Sequence, residues 1–311
     1  MSKSQKISFL FFGKMPPPIG GVTISIKNLR IALKNKKHTT QIISFSDLLR
    51  VKKFNIGHVH YSKKYKVVLG ILLGKILCKK IIVTKHGANF HPQKNFMDKI
   101  ILNMSDGLIV LNNEVFQRCK EKGNCIKLPP IFKEGIEKIK KTNENYFSKE
   151  EGYHYILLYA SRKEYINNKE VYGVTFTLQA MKHLSKNIKL ILLDPSEEYK
   201  NDLKNYNREN IIYINKYIDF NNLVSQVDIY IRPTSSDGNS VATLEALSHG
   251  TNVIASDIVE RTSGVLCYKA DNENDFITKI KYMLQNKKQN NNFKLQSIDM
   301  YIDFCNKVLN S

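Results

Sequence analysis

The chain has 311 residues, of which 42% are hydrophobic, and carries 48 Lys and Arg against 28 Asp and Glu, a net charge of +20. That length suits two compact domains of about 150 residues each, and the composition excludes a disordered chain. The five cysteines make no CxxC pair, have no His at zinc-ligand spacing and are odd in number, which excludes a disulfide framework and fits a reducing cytoplasm.

The N-terminus, MSKSQKISFLFFGKM, has a short apolar run with no small-residue cleavage site after it, so it reads as a first strand rather than a leader. Ile7 to Phe12 is a continuous apolar run of strand length, followed by Gly13, the loop from Pro16 to Gly21, and helical spacing from Val22 to Leu33. Further strands are predicted at Gln41 to Phe45, Ile56 to His60, Ile81 to Thr84 and Leu108 to Leu111. Helical or Lys-rich segments such as Lys64 to Lys79 separate them. The longest apolar stretch, Val67 to Cys78, is interrupted by Lys75 and is shorter than the ~20 residues of a membrane span. Apolar strands stop between Pro129 and Glu151, which puts a domain boundary near residue 150.

The rhythm then restarts, with strands predicted at Tyr155 to Ala160, Lys189 to Leu193, Ile211 to Ile214, Asp228 to Arg232 and Asn252 to Ala255. Leu295, Ile298, Ile302, Cys305 and Leu309 are spaced by three or four, which predicts an amphipathic helix over Phe293 to Leu309. Strands alternating with helices imply parallel sheets, hence an α/β fold in two halves, 1–150 and 151–288, with a closing segment 289–311.

Charge is unevenly spread: residues 1–148 hold 28 basic and 8 acidic side chains, and residues 149–311 hold 20 of each. The whole excess lies in the first half. It suits an anionic membrane surface, with nucleic acid as the rival partner and a generally Lys-rich composition as the plain alternative. There is no zinc spacing and no aromatic RNA-binding run or separable recognition helix, which argues against nucleic acid.

The most informative stretch runs from Asp228 through Asp237, Gly238, Asn239, Ser240 and Glu245 to Gly250, and then Thr-Asn-Val-Ile-Ala-Ser. It encodes strand, loop, helix, glycine stop and strand. In an open parallel sheet, ligands bind beyond the carboxyl ends of strands, and the first amides of the helix, at Ser240, Val241 and Ala242, suit a phosphate. Asp237 precedes the helix and Glu245 lies about one and a half turns inside it, so two carboxylates can address opposite ends of a ligand.

This stretch resembles the GT-B glycosyltransferases, specifically the large retaining group called family four, whose hallmark is Glu-x7-Glu in such a context. Here it reads Asp237-x7-Glu245. The resemblance implies two Rossmann-like domains with parallel sheets facing across a cleft, the donor on the second and the acceptor on the first, and a last helix crossing back. It implies that Glu245 binds the donor ribose and Asp237 the donor sugar, with Gly238 and Asn239 beside them. Gly20-Gly21 matches a glycine pair near the donor phosphates, His86 a catalytic-site histidine beyond a strand, and Arg162 an arginine that neutralises the diphosphate. Tyr172 stands before Gly173 where a Lys is expected, which leaves Lys169 as its substitute.

The expected activity is retaining transfer from a nucleotide-sugar, UDP being the family's commonest nucleotide, to a lipid-linked saccharide or growing cell-surface polysaccharide. Neither a metal nor another cofactor is expected, since no Asp-x-Asp follows a strand. The expected place is the cytoplasm, peripheral on the inner face of the membrane. A nucleotide-sugar epimerase or phosphorylase on the same fold, and a basic nucleic-acid-binding protein, are the alternatives.

Overall fold

The computed structural model describes residues 6–17, 19–43, 54–136, 144–206, 208–286 and 293–311. They form two compact units. The first comprises the described parts of Met1–Glu137 with Gly238–Val241 and Leu295–Ser311, and the second those of Lys138–Asp237 and Ala242–Lys294.

The first unit runs β1 (Ser8–Phe12), α1 (Gly21–Asn35), β2 (Thr39–Ile42), β3 (Phe54–Val59), α2 (Lys64–Leu77), β4 (Cys78–Lys85), α3 (Phe96–Met104), β5 (Gly107–Val110), α4 (Asn113–Cys119) and β6 (Cys125–Lys127). All six strands are parallel, in the order β2-β1-β3-β4-β5-β6. The apolar run of β1 is buried on both faces because helices cover both, as a central parallel strand requires. Its residues alternate between two cores: Phe9 and Phe11 join Ile56, Ile82 and Ile109, while Leu10 and Phe12 join Val59, Val83 and Leu108. Ser44 and Phe45 of the predicted second strand lie outside the described residues.

The second unit runs β7 (His154–Tyr159), β8 (Tyr165–Ile166), β9 (Lys169–Glu170), α5 (Val174–Met181), β10 (Ile188–Leu193), β11 (Ile211–Ile214), α6 (Phe220–Val224), β12 (Ile229–Arg232), α7 (Val241–Ser248), β13 (Asn252–Ser256), β14 (Val265–Tyr268) and α8 (Glu273–Gln285). Its six main strands are parallel in the order β11-β10-β7-β12-β13-β14, and β8 and β9 form a short antiparallel hairpin. The stretch ahead of β7 already belongs here. Phe147 packs 4.8 Å from the Tyr155 ring, and the Glu150 amide donates to the Tyr155 hydroxyl at 2.7 Å.

Leu295 onward belongs to the first unit, where α9 (Asp299–Asn310) buries Tyr301, Phe304, Cys305 and Val308. The helix is shorter than its apolar spacing suggests. Residues 293–297 are non-helical because other bonds hold them: Gln296 O accepts from Lys133 N at 3.0 Å, and Glu134 accepts from Ser297 Oγ at 2.7 Å and Ile298 N at 2.9 Å. No helix among the described residues is long and apolar enough to cross a membrane.

Candidate active site

In the second unit the central strand β12 ends at Arg232, and Pro233 to Ser240 lead into α7. Asp237 sits in that loop with its side chain only 6% exposed. Its Oδ1 accepts from Arg232 Nη2 at 3.0 Å, and its Oδ2 accepts from Arg232 Nε at 3.1 Å, Arg261 Nη1 at 2.6 Å and Thr234 Oγ1 at 3.3 Å. Burial alone would raise its pKa, but the Arg232 and then the Arg261 guanidinium bring it down to about 2. Asp237, expected to reach for sugar hydroxyls, therefore has both oxygens committed to an arginine pair. Arg261 is held in turn by Ser256, donating Nε to its carbonyl at 2.9 Å and Nη2 to its hydroxyl at 3.2 Å.

Glu245 lies on α7, nearly buried, and its Oε1 accepts from Asn221 Nδ2 at 3.3 Å. Asn221 is the second residue of α6, whose cap Asp219 accepts from its amide, and its Oδ1 accepts from His249 Nε2 at 2.8 Å. Burial lowers the His249 pKa, consistent with a neutral ring donating there. Ser240, Val241 and Ala242 occupy the start of α7, as the strand-loop-helix pattern requires.

Arg162 follows β7 and is solvent-exposed, its guanidinium paired with Glu164 at 2.7 Å. Lys169 stands in β9 and pairs with Asp271 at 2.5 Å. The stretch from Lys163 to Val171 folds back on itself as the β8–β9 hairpin. Lys169 lines a cavity of about 180 Å³ with Gly173, Pro233, Thr234, Ser256 and Tyr268. Neither Arg162 nor Glu245 lines it. Gly173 has φ 65°, and a Cβ there would lie 2.0 Å from the Pro233 carbonyl oxygen, so only glycine lets α5 begin against this loop. Tyr172, in the place where the resemblance expects a lysine, bonds Ser161 Oγ at 2.6 Å and has the Arg232 guanidinium 5.5 Å above its ring.

In the first unit His86 follows β4, and its Nε2 is 3.0 Å from Nδ1 of His60, which follows β3. The His60 ring lies 4.0 Å from that of His58. Tyr301 of α9 and Thr84 bracket His58, with 2.8 Å to Nδ1 and 2.7 Å to Nε2. Burial lowers the pKa of His58 to about 3 and, with Lys85 adding to it, that of His86 to about 4; His60 is lowered too. His86 is a neutral ring at the end of a packed row. Gly20 precedes α1 and Gly21 opens it; Gly20 N donates to Thr23 Oγ1 at 3.1 Å, and that hydroxyl donates to Gly20 O at 2.9 Å. Gly238 and Asn239 group with this unit. A Cβ at Gly238 would lie 2.8 Å from the His86 carbonyl oxygen, and Asn239 Nδ2 donates to Leu111 O at 3.3 Å.

Sequence reasoning missed Arg232, Arg261, Asn221 and the support of His86 by His60. Arg232 had a visible signal, a charge closing the apolar run Ile-Tyr-Ile just before Pro233. Arg261 and Asn221 are 24 residues from Asp237 and Glu245, on separate loops, and no local pattern links them.

Residues 155–286 match the profile of the family described as Glycosyl transferases group 1. A comparison with curated proteins gives no match. Among solved structures, the chain is similar to the catalytic domain of starch synthase IV from Arabidopsis thaliana bound to ADP and acarbose (10% identity, TM-score 0.71, 99% of this chain and 100% of that one). It is similar to Anabaena HepE in complex with UDP-glucose (9%, 0.66, 98% and 100%). A glycosyltransferase from Rickettsia africae is similar too (16%, 0.61, 98% and 94%). The chain has the GT-B fold, and its residues 155–286 match the model of the glycosyl transferases group 1.

Proposed function

We propose that the protein moves a sugar, with retention of anomeric configuration, from a UDP-sugar to a lipid-linked saccharide or growing polysaccharide at the inner face of the membrane. The observation that carries the donor half of this reading is the Asp237 to Glu245 segment: a loop leaving the central strand β12 and entering α7, with one carboxylate at each end. The nucleotides named for the similar structures, UDP-glucose in HepE and ADP in starch synthase, support a nucleotide diphosphate.

Glu245, steadied by Asn221, takes the ribose hydroxyls. The amides at the start of α7, around Ser240, Val241 and Ala242, take the diphosphate with Arg162 and Lys169, which exchange Glu164 and Asp271 for phosphate oxygens. Asp237 holds Arg232 and Arg261 in place. Gly20 and Gly21 offer backbone that approaches phosphate without side-chain hindrance, and neutral His86 orients the donor sugar with Gly238 and Asn239. The bond from the anomeric carbon to the phosphate oxygen breaks as the acceptor oxygen bonds the same face, and the acceptor proton passes to the departing phosphate. These cations stabilise that charge, so a metal ion is not needed. The basic first half faces the anionic membrane.

The test is NMR of the product made from α-linked UDP-sugars and polyprenyl-diphosphate-linked saccharides in excess EDTA. An α-linkage is expected. A β-linkage contradicts retention, and a requirement for added metal contradicts the cation-only site.

A further inference from the structure

The first unit has an open cavity of about 310 Å³ that the donor chemistry does not use, within the size range of small-molecule sites. It lies where Phe12 ends β1, Ile43 follows β2 and Tyr61 follows the end of β3, at the carboxyl ends of three neighbouring parallel strands. Helix α2 supplies the remaining wall with Tyr65, Leu69, Gly70 and Leu73. Among the described residues its lining has two charged side chains, Lys14 and Lys66, both exposed, and no acid.

The outside of α2 has the same character. Its inner row, Val67, Gly70, Ile71, Gly74 and Leu77, is buried. Its outer row is apolar as well: Tyr65, Leu69, Leu72 and Ile76 are 58%, 46%, 47% and 72% exposed. Their spacing of four, three and four puts them on one stripe. Lys63, Lys66, Lys75 and Lys79 are exposed in and around α2, which contains no acidic residue. An apolar stripe edged by lysines alone complements a surface that is apolar inside and anionic outside. Tyr65 and Leu69 belong to both stripe and cavity, so one occupant can cover both.

We propose that this cavity binds the chain of a prenyl phosphate amphiphile drawn from the membrane, with Lys14 and Lys66 at its mouth holding the phosphate. The inference rests on the lipid-linked acceptor reading above and gives that acceptor its place. Tyr61 follows His60, which is bonded to His86, so the site adjoins the histidine row, and Lys14 begins the loop that ends at Gly20-Gly21.

The test is binding of farnesyl phosphate below its micelle concentration, measured by thermal shift and calorimetry, with farnesol and inorganic phosphate as separate arms. Farnesyl phosphate is expected to bind, inorganic phosphate at the same concentration not to, and farnesol only weakly. The double variant Lys14→Glu, Lys66→Glu, at exposed positions that leave folding intact, is expected to weaken farnesyl phosphate at least about tenfold. Its stabilisation by UDP is expected to stay unchanged, which shows the variant folded and separates this site from the donor site. Farnesyl phosphate binding no better than inorganic phosphate, or equally well to the double variant, overturns the proposal. Loss of the UDP response with farnesyl phosphate binding intact overturns the donor reading instead.

Discussion

A carboxylate held between two buried guanidiniums is a rigid object, and Asp237 is held so by Arg232 and Arg261. Removing it strands two cations in a site the fold has dehydrated, which costs more than the pair's net contribution. Asp237→Ala is expected to lower unfolding stability by about 3 kcal/mol in urea titrations. An effect below about 0.5 kcal/mol, the level of an ordinary surface substitution, contradicts this role of the arginine pair. His86 is a different case, since no charge holds it. His86→Ala is expected to cost roughly a hundredfold in kcat with KM little changed, because an orienting group acts as the bond breaks. Equal loss through KM alone points to ground-state binding.

The neighbouring parallel strands β3 and β4 bring His58, His60 and His86 into one row, the first two buried and His86 partly so, and their common property is the difficulty of protonating them. With folded pKa values of about 3 for His58 and about 4 for His86, below the ordinary value of 6.5, the folded state binds fewer protons than the unfolded chain in acid. Their contribution to stability is complete above pH 6.5 and is lost as the pH falls from 6.5 towards 4 and 3. We expect stability to drop by a few kcal/mol over that window, since each tenfold change in proton affinity corresponds to about 1.4 kcal/mol. His58→Asn should flatten the profile there, and an unchanged slope in that variant contradicts the assignment. Central strands such as β1, β7 and β10 were legible because each is a largely continuous apolar run. The edge strand β6 and the hairpin β8–β9 were not, since Cys125–Lys127 or Lys169–Glu170 has too few apolar residues to stand out. The start of α9 departs from its apolar spacing because Leu295 continues that spacing while Lys133 and Glu134 hold the preceding backbone out of the helix.

Across the whole molecule, the charge excess falls in residues 1–148 and the group 1 match in residues 155–286. Attraction of a basic half to anionic lipid is screened by salt, so flotation with phosphatidylglycerol vesicles is expected to fall steeply between about 0.05 and 0.5 M salt. Binding indifferent to salt argues for the apolar stripe alone, and no binding at low salt removes the membrane from the proposed function. Half of the candidate site was readable from sequence for a physical reason: Asp237, Ser240 and Glu245 lie on one strand-loop-helix unit whose spacing encodes their placement. Partners that arrive from other loops, Arg261 and Asn221 among them, are brought by tertiary packing that no local pattern records. The proposed donor chemistry depends on Glu245 and the start of α7 holding a nucleotide diphosphate, and a thermal-shift panel of UDP, ADP and GDP against wild type and Glu245→Ala decides whether they do. At about 100 times its dissociation constant the right nucleotide should add about 2.7 kcal/mol, a rise of several degrees, and Glu245→Ala should lose most of it. Stabilisation by none of the three, or equal stabilisation of Glu245→Ala, would contradict a nucleotide site there.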